Sequence, residues 1–264
     1  MAKRKKILIC SFAVFALFLI GAGVFVGVVF FSPMSNPLYV AHRGYSANNP
    51  PNTPLAFAAA TNKDFWGIET DVRFTKDGIA VCNHDATVKY ADGTELSVLE
   101  NDYATLRAKP LENKQTSDLV YLCPFTEYLD LCAYGDKVAV IELKTACSDA
   151  ELLALLSLVD THHSREKCCF ISFDYSNLSA LRVIAPGVSL QYLSDTKDDP
   201  TFDKCLEDGV SIDVKFNVVN KKLVEKFHEK DLKVNVWTIN GDWYRAKMRR
   251  LKVDFITSDC YYKN

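Results

Sequence analysis

Two histidines, three carboxylates, two cations and an indole fall at or beside the ends of short apolar runs in this chain. His42 and Arg43 follow Leu38-Tyr39-Val40-Ala41. Glu69 and Asp71 close the run Gly67–Val72, Glu142 and Lys144 close Lys137–Leu143, and Trp237 and Asn240 close Leu232–Ile239. Residues two apart on a strand point to the same face, so Glu69 pairs with Asp71 and Glu142 with Lys144. Imidazole exchanges protons near neutral pH. Carboxylates turned inward beneath a layer of helices need a cation or a paired base. Taken singly, each feature has a plain reading. A strand-end histidine is often just a hydrogen-bonded polar residue, Glu-x-Asp is often alternation on an exposed face, and Glu142-Leu143-Lys144 can be a simple ion pair. The shared position at strand ends is what joins them.

The elements that must hold these residues alternate along the chain. Strand-like runs are expected at Leu38–Ala41, Gly67–Val72, Lys137–Leu143, Cys168–Phe173, Val188–Leu193, Val210–Val214, Leu232–Ile239 and Val253–Thr257. Several are continuously apolar, as for strands covered on both faces. Helical patterns lie between them. Thr53 reads as an N-cap with Pro54 at the first helical position. Asp149-Ala150-Glu151 opens Leu152–Val159, and Asn220 leads into residues 221–230. Eight such units in one domain predict an α/β fold, the (β/α)8 TIM barrel, whose catalytic groups sit at the C-terminal ends of the strands. A doubly wound open sheet would need fewer strands and usually a Gly-rich first turn, which is absent.

One stretch breaks the alternation. Asp77-Gly78 lies between Val72–Thr75 and Ile79–Asn83, a strong β-hairpin signal. A hairpin extending from the second strand would bring His84-Asp85 back beside Glu69 and Asp71. The stretch between Asp85 and Asp136 is modest, so any capping subdomain over the mouth should be small.

With 31 Lys and Arg against 33 Asp and Glu, the net charge is −2. That balance argues against a general nucleic-acid binder. Residues 1–6 carry Lys3, Arg4, Lys5 and Lys6, and residues 7–31 carry no charge. About 20 apolar residues cross a bilayer core, whereas the apolar region of a signal peptide is usually ~7–15 residues. The expected organisation is therefore a cytoplasmic basic segment (1–6), a transmembrane anchor (7–31), a short linker (32–37) and a barrel domain (38–264). Basic flanks stay on the cytoplasmic side, which would place the domain outside the cytoplasm, tethered to the plasma membrane by a single pass. Eight cysteines follow the anchor without C-x-x-C or zinc-like spacing. They read either as buried small apolar residues or as one or two disulfides.

His42-Arg43-Gly44, Pro-x-Asn-Thr, Ile68-Glu69-Thr70-Asp71-Val72, Thr75-Lys76-Asp77-Gly78, His84-Asp85, Ile141-Glu142-Leu143-Lys144, Ser172-Phe173-Asp174 and Trp237-Thr238-Ile239-Asn240 occur in that order. Together, from about Leu38 to Asp259, they resemble the glycerophosphodiester phosphodiesterase family of metal-dependent (β/α)8 barrels. That resemblance implies one divalent cation, Ca²⁺ or Mg²⁺, on Glu69, Asp71 and Glu142, and all-oxygen ligation suits a hard ion. It implies His42 and His84 as the acid–base pair, and Arg43 and Lys144 as phosphate-holding groups. Trp237 would pack against the glycerol or the head group. The implied reaction converts a small glycerophosphodiester to glycerol 3-phosphate and an alcohol. In the family, a neighbouring glycerol hydroxyl is thought to attack first, giving a cyclic phosphate that water opens.

The chain departs from the family in two places. Pro51 stands where the family usually has Glu, which bears on loop geometry more than on catalysis, and Lys89 stands near a common Arg. Two other functions fit parts of the pattern. A phospholipase D-like enzyme acting on lysophospholipids would share both histidines and Glu-x-Asp. A catalytically inactive tethered binding module would ordinarily have lost a histidine or a metal carboxylate, and here all are present.

Overall fold

The computed structural model describes residues 34–263. In chain order the elements are β1 (Leu38–Ala41), α1 (Pro54–Thr61), β2 (Gly67–Phe74), β3 (Ala80–Cys82), β4 (Thr87–Lys89), β5 (Glu95–Ser97), α2 (Tyr103–Arg107), β6 (Cys123–Pro124), α3 (Phe125–Tyr134) and β7 (Val138–Leu143). The second half alternates α4 (Asp149–His162), β8 (Cys168–Ser172), α5 (Tyr175–Ile184), β9 (Ser189–Ser194), α6 (Thr201–Asp208), β10 (Ser211–Lys215), α7 (Lys221–His228), β11 (Val234–Trp237), α8 (Asp242–Leu251) and β12 (Phe255–Ser258).

Eight parallel strands run β1-β2-β7-β8-β9-β10-β11-β12, and β1 pairs with both β2 and β12, so the sheet closes on itself. This is the expected (β/α)8 barrel, with each expected strand present to within two or three residues at either end. Two kinds of core follow from alternation along the strands. One side chain of each pair faces the helices, and the next fills the barrel. Cys168 thus joins the large layer between strands and helices, while Cys169 packs inside with Val40, Val140, Ile171 and Leu193. Local signals set the helix starts. Thr53 caps α1, accepting from the Ala56 N–H with Pro54 behind it. Ser148 and Glu151 form a reciprocal capping box on α4, and Asn220 caps α7.

β2 runs on to Phe74 because β3 pairs back on it, Val72 opposite Cys82 and Phe74 opposite Ala80. Gly78 turns this hairpin at φ +77°, a backbone region glycine enters without steric cost. Beyond it, β4, β5 and α2 gather around Val81, Val88, Tyr90, Val98, Leu106 and Leu122 as a small satellite core. This subdomain is small, as the length of the stretch implies.

The anchor expected at residues 7–31 lies outside the described residues. Among the described residues no helix is long and apolar enough to cross a membrane. All eight cysteines after that segment are free thiols, and six of them are buried. They serve as small apolar residues, not as disulfides.

Candidate active site

The turn after β1 is built for close approach. Arg43 and Gly44 both take positive φ, +54° and +81°. A Cβ on Gly44 would come within 2.6 Å of the Ala56 carbonyl carbon. Glycine therefore lets the loop press against α1 and turns the Arg43 backbone N–H onto Glu69 Oε2, at 2.7 Å.

Glu69 and Asp71 point into the barrel from β2, and Glu142 from the neighbouring β7, where Asp71 and Glu142 are register partners. Carboxylate oxygens of all three lie within 4.8 Å of one another, and all three residues are buried. Asn52 donates to Asp71 Oδ2 at 2.7 Å and accepts from Thr70 at 2.8 Å. Asn52 is itself held at φ +57°, while Pro51 beside it is exposed. The loop thus reaches the site through Asn52 without a glutamate at position 51. Lys144 Nζ sits 2.7 Å from Glu142 Oε1 and 3.3 Å from Asp71 Oδ1, and Arg43 Nε sits 3.2 Å from Asp71 Oδ2.

Burial and mutual repulsion dominate the electrostatics. Burial, with Asp71 and Glu142 adding to it, pushes Glu69 well above the usual carboxylate range. Burial and Asp71 raise Glu142 to about 7. For Asp71 burial acts upward too, but Arg43, Lys144 and the Asn52 hydrogen bond outweigh it and hold the group low. Glu69 Oε1 and Asp71 Oδ1 are buried and accept no hydrogen bond. Three converging carboxylates with unfilled oxygens fit a hard divalent cation. The residues present can hold one.

Both histidines reach the same hollow. His42 Nδ1 bonds Asp259 Oδ1 at 2.6 Å. Asp259 is fixed in turn by Ser46 at 3.0 Å and Asn240 at 2.6 Å. Asn240, at the end of the same run as Trp237, braces this carboxylate. His84 Nδ1 bonds Asp85 Oδ1 at 2.8 Å. The Arg73 guanidinium donates twice to the His84 carbonyl, at 3.0 and 2.8 Å, which pins the returning hairpin. Lys89, in place of the family's arginine, lies 3.3 Å from Asp85 Oδ2. Burial lowers the pKa of His84, favouring the neutral ring.

His42, Arg43, Glu69, His84, Glu142 and Lys144 line one part of a cavity of about 160 Å³. Strands from the other half of the barrel supply Ile171, Leu193, Asp213, Trp237 and Thr257, with Phe173 just past β8. The Trp237 N–H donates to the Asp213 carbonyl at 3.2 Å, and Phe173 meets its ring edge-to-face at 5.9 Å. Roomier hollows of about 500 and 410 Å³ elsewhere contain neither histidine nor the carboxylates. Seven of the eight residues singled out in the sequence line this one cavity, and the eighth, Asp71, is buried beside it against Lys144 and Arg43. Asp259 and Asp213 were not singled out. The first lies in a loop without a motif. The second could have been found as the one acidic residue inside the Val210–Val214 run.

A (β/α)8 barrel with paired histidines, a carboxylate triad and two phosphate-sized cations at the C-terminal mouth defines a phosphoric diester hydrolase. The sequence profile of the glycerophosphoryl diester phosphodiesterase family matches residues 42–261, and the chain belongs to that family. It is 25% identical over 229 residues to a glycerophosphodiester phosphodiesterase of Bacillus altitudinis, covering 83% of this chain and 93% of the other. It is 26% identical over 231 residues to the enzyme of that name from Caldanaerobacter subterraneus, covering 84% and 93%. Among solved structures, an Oleispira antarctica phosphodiesterase in complex with its product sn-glycerol-3-phosphate superposes with a TM-score of 0.75 at 20% identity, over 84% of this chain and 93% of that one.

Proposed function

We propose that the protein hydrolyses small glycerophosphodiesters to glycerol 3-phosphate and an alcohol, with His42 and His84 as the acid–base pair. The observation that carries this reading is that both rings, each tied by Nδ1 to an aspartate, line the cavity that also holds the carboxylate triad. Both aspartates have lowered pKa values and are ionised. They can only accept, so Nδ1 of each ring carries the hydrogen and Nε2 is the atom that exchanges a proton. One ring takes the proton of the attacking glycerol hydroxyl and the other gives a proton to the departing alkoxide, leaving a cyclic phosphate; with the roles reversed, water then opens it to glycerol 3-phosphate. Arg43 and Lys144 hold the phosphoryl oxygens, and the planar guanidinium suits two-point contact.

Glu69, Asp71 and Glu142 would hold one divalent cation, Ca²⁺ or Mg²⁺. When bound, that cation supplies positive charge against the oxygens of the phosphodiester. Arg43 lies 3.2 Å from Asp71, and Lys144 lies 3.3 Å from Asp71 and 2.7 Å from Glu142, so both cations stand beside the carboxylates that would hold the ion. Residues 1–6 and 7–31 have the charge and length of a cytoplasmic flank and a single-pass anchor, which would hold the domain outside the plasma membrane. The deciding assay is turnover of glycerophosphocholine and glycerophosphoethanolamine, with lysophospholipid as comparison, before and after chelation. Hydrolysis of the first two by the cation-loaded protein, yielding glycerol 3-phosphate, supports the reading. Turnover of lysophospholipid alone overturns it.

A further inference from the structure

Among the described residues, the Asp213 side chain has no hydrogen-bond partner for its Oδ1. It lies mid-strand on β10, is 1% exposed, and contributes to the wall of the catalytic cavity. Its Oδ1 is buried without a hydrogen bond. The residue beside it in register, Asn235, gives its amide to Thr257 at 3.1 Å and Gln191 at 3.4 Å. On the other side the register partner is Leu193. Native proteins rarely leave a buried carboxyl unpaired, because its desolvation is not recovered. Burial, with Glu142 adding to it, raises its pKa well above the usual range.

We infer that Asp213 hydrogen-bonds a hydroxyl of the glycerol moiety and is the group that selects glycerol among small diester alcohols. This rests on the function proposed above and names which part of the substrate the far wall reads. The cavity is divided in kind. Arg43, Lys144 and the triad answer the charge of a phosphate. The remaining wall is Ile171, Leu193, Phe173, Trp237 and Thr257, whose hydroxyl is already bonded to Asn235, with Asp213 as its one charged side chain. Apolar surface of that sort takes methylene groups, and a single carboxyl within it takes a hydroxyl: ionised it accepts, protonated it also donates. A second cation suits the position poorly. Among the described residues only Glu69, Asp71 and Glu142 converge closely enough to ligate an ion. The Trp237 N–H on the Asp213 carbonyl fixes the indole beside this carboxyl, so ring and acid form one unit of the wall.

The test compares two diesters of choline. One is glycerophosphocholine. The other carries propane-1,2-diol phosphate, which keeps the hydroxyl next to the phosphate and lacks the terminal one. With cation present, the wild-type protein is expected to favour the glycerol diester in kcat/KM by at least about tenfold, the scale of one hydrogen bond to a buried group. Asp213→Leu is expected to bring that ratio near one, and Asp213→Asn to keep part of it. Equal losses on both diesters, or an unchanged ratio, would overturn the assignment. Thermal melting supplies a second readout that needs no turnover. Glycerol 3-phosphate should raise Tm more than inorganic phosphate does, and Asp213→Leu should erase the difference. If the wild type hydrolyses neither diester, the proposed function fails, and the melting comparison still decides whether Asp213 reads glycerol. Removal of an unpaired buried carboxyl should itself raise the Tm of Asp213→Leu. If that variant does not fold, Asp213→Asn carries the melting comparison.

Discussion

His42 Nδ1 and Asp259 Oδ1 are 2.6 Å apart, although 217 positions separate them in the chain. Burial raises the Asp259 pKa, but the hydrogen bond and charge of His42, with the Asn240 and Ser46 hydrogen bonds, together outweigh it and hold it at about 2. Asp259 thereby fixes which nitrogen of His42 bears the hydrogen. Asp259→Asn, which can present an N–H to the ring instead, should lower kcat by ~10²–10⁴. KM should change little, because Asp259 touches the ring and not the cavity. A kcat near wild type would show that Asp259 does not set the tautomer.

The two rings should behave as one device. His42→Ala and His84→Ala should each lower turnover by ~10²–10⁴, and the double variant should lose less than the product of the two. Circular dichroism should show the fold intact in all three. A His84→Ala protein with ordinary turnover would place His84 outside the reaction.

Chelation should abolish activity, and Ca²⁺ or Mg²⁺ should restore it, but not in Glu69→Gln. The same site has a signature in stability. Glu142 has an ordinary value of 4.5 and is raised to about 7 in the fold. In that window the folded, cation-free protein keeps a proton that the unfolded chain has released. Stability must therefore fall as pH rises from about 4.5 to 7, by up to about 1.4 kcal/mol per pH unit for this group. Bound cation should flatten the fall, and so should Glu142→Gln. A cation-free Tm that rises through this range would contradict the raised value.

Removal of residues 1–33 keeps Ser35, whose backbone N–H and carbonyl both bond Arg249. The shortened protein should retain turnover of soluble diesters and partition away from membranes. Retention in the membrane fraction would show that residues 7–31 are not the anchor.

The barrel was legible because buried parallel strands are written as continuous apolar runs. The site was legible where polar residues interrupt those runs at their C-terminal ends. The capping subdomain was not read in detail. β4 and β5 are three residues each, too short for alternation to declare itself, and α2 is a single turn or so. Asp213 escaped because a carboxylate inside a barrel strand reads as ordinary alternation until its lack of a partner is visible. Asp259 escaped because its meaning lies wholly in tertiary contact, as does that of Asn240, whose amide braces Asp259.

β1 pairs with β12 from Leu38 opposite Phe255 to Ala41 opposite Ser258. His42 and Asp259 are the next residues on those two strands. The His42–Asp259 pair, proposed to handle protons, therefore straddles the seam where β1 meets β12. A ribosome that has released everything up to Thr257 holds a chain with both histidines, the whole triad and no orienting carboxylate for His42. On the function proposed above, a chain cut just before Asp259 should lose turnover although every residue proposed to touch the phosphate is still present.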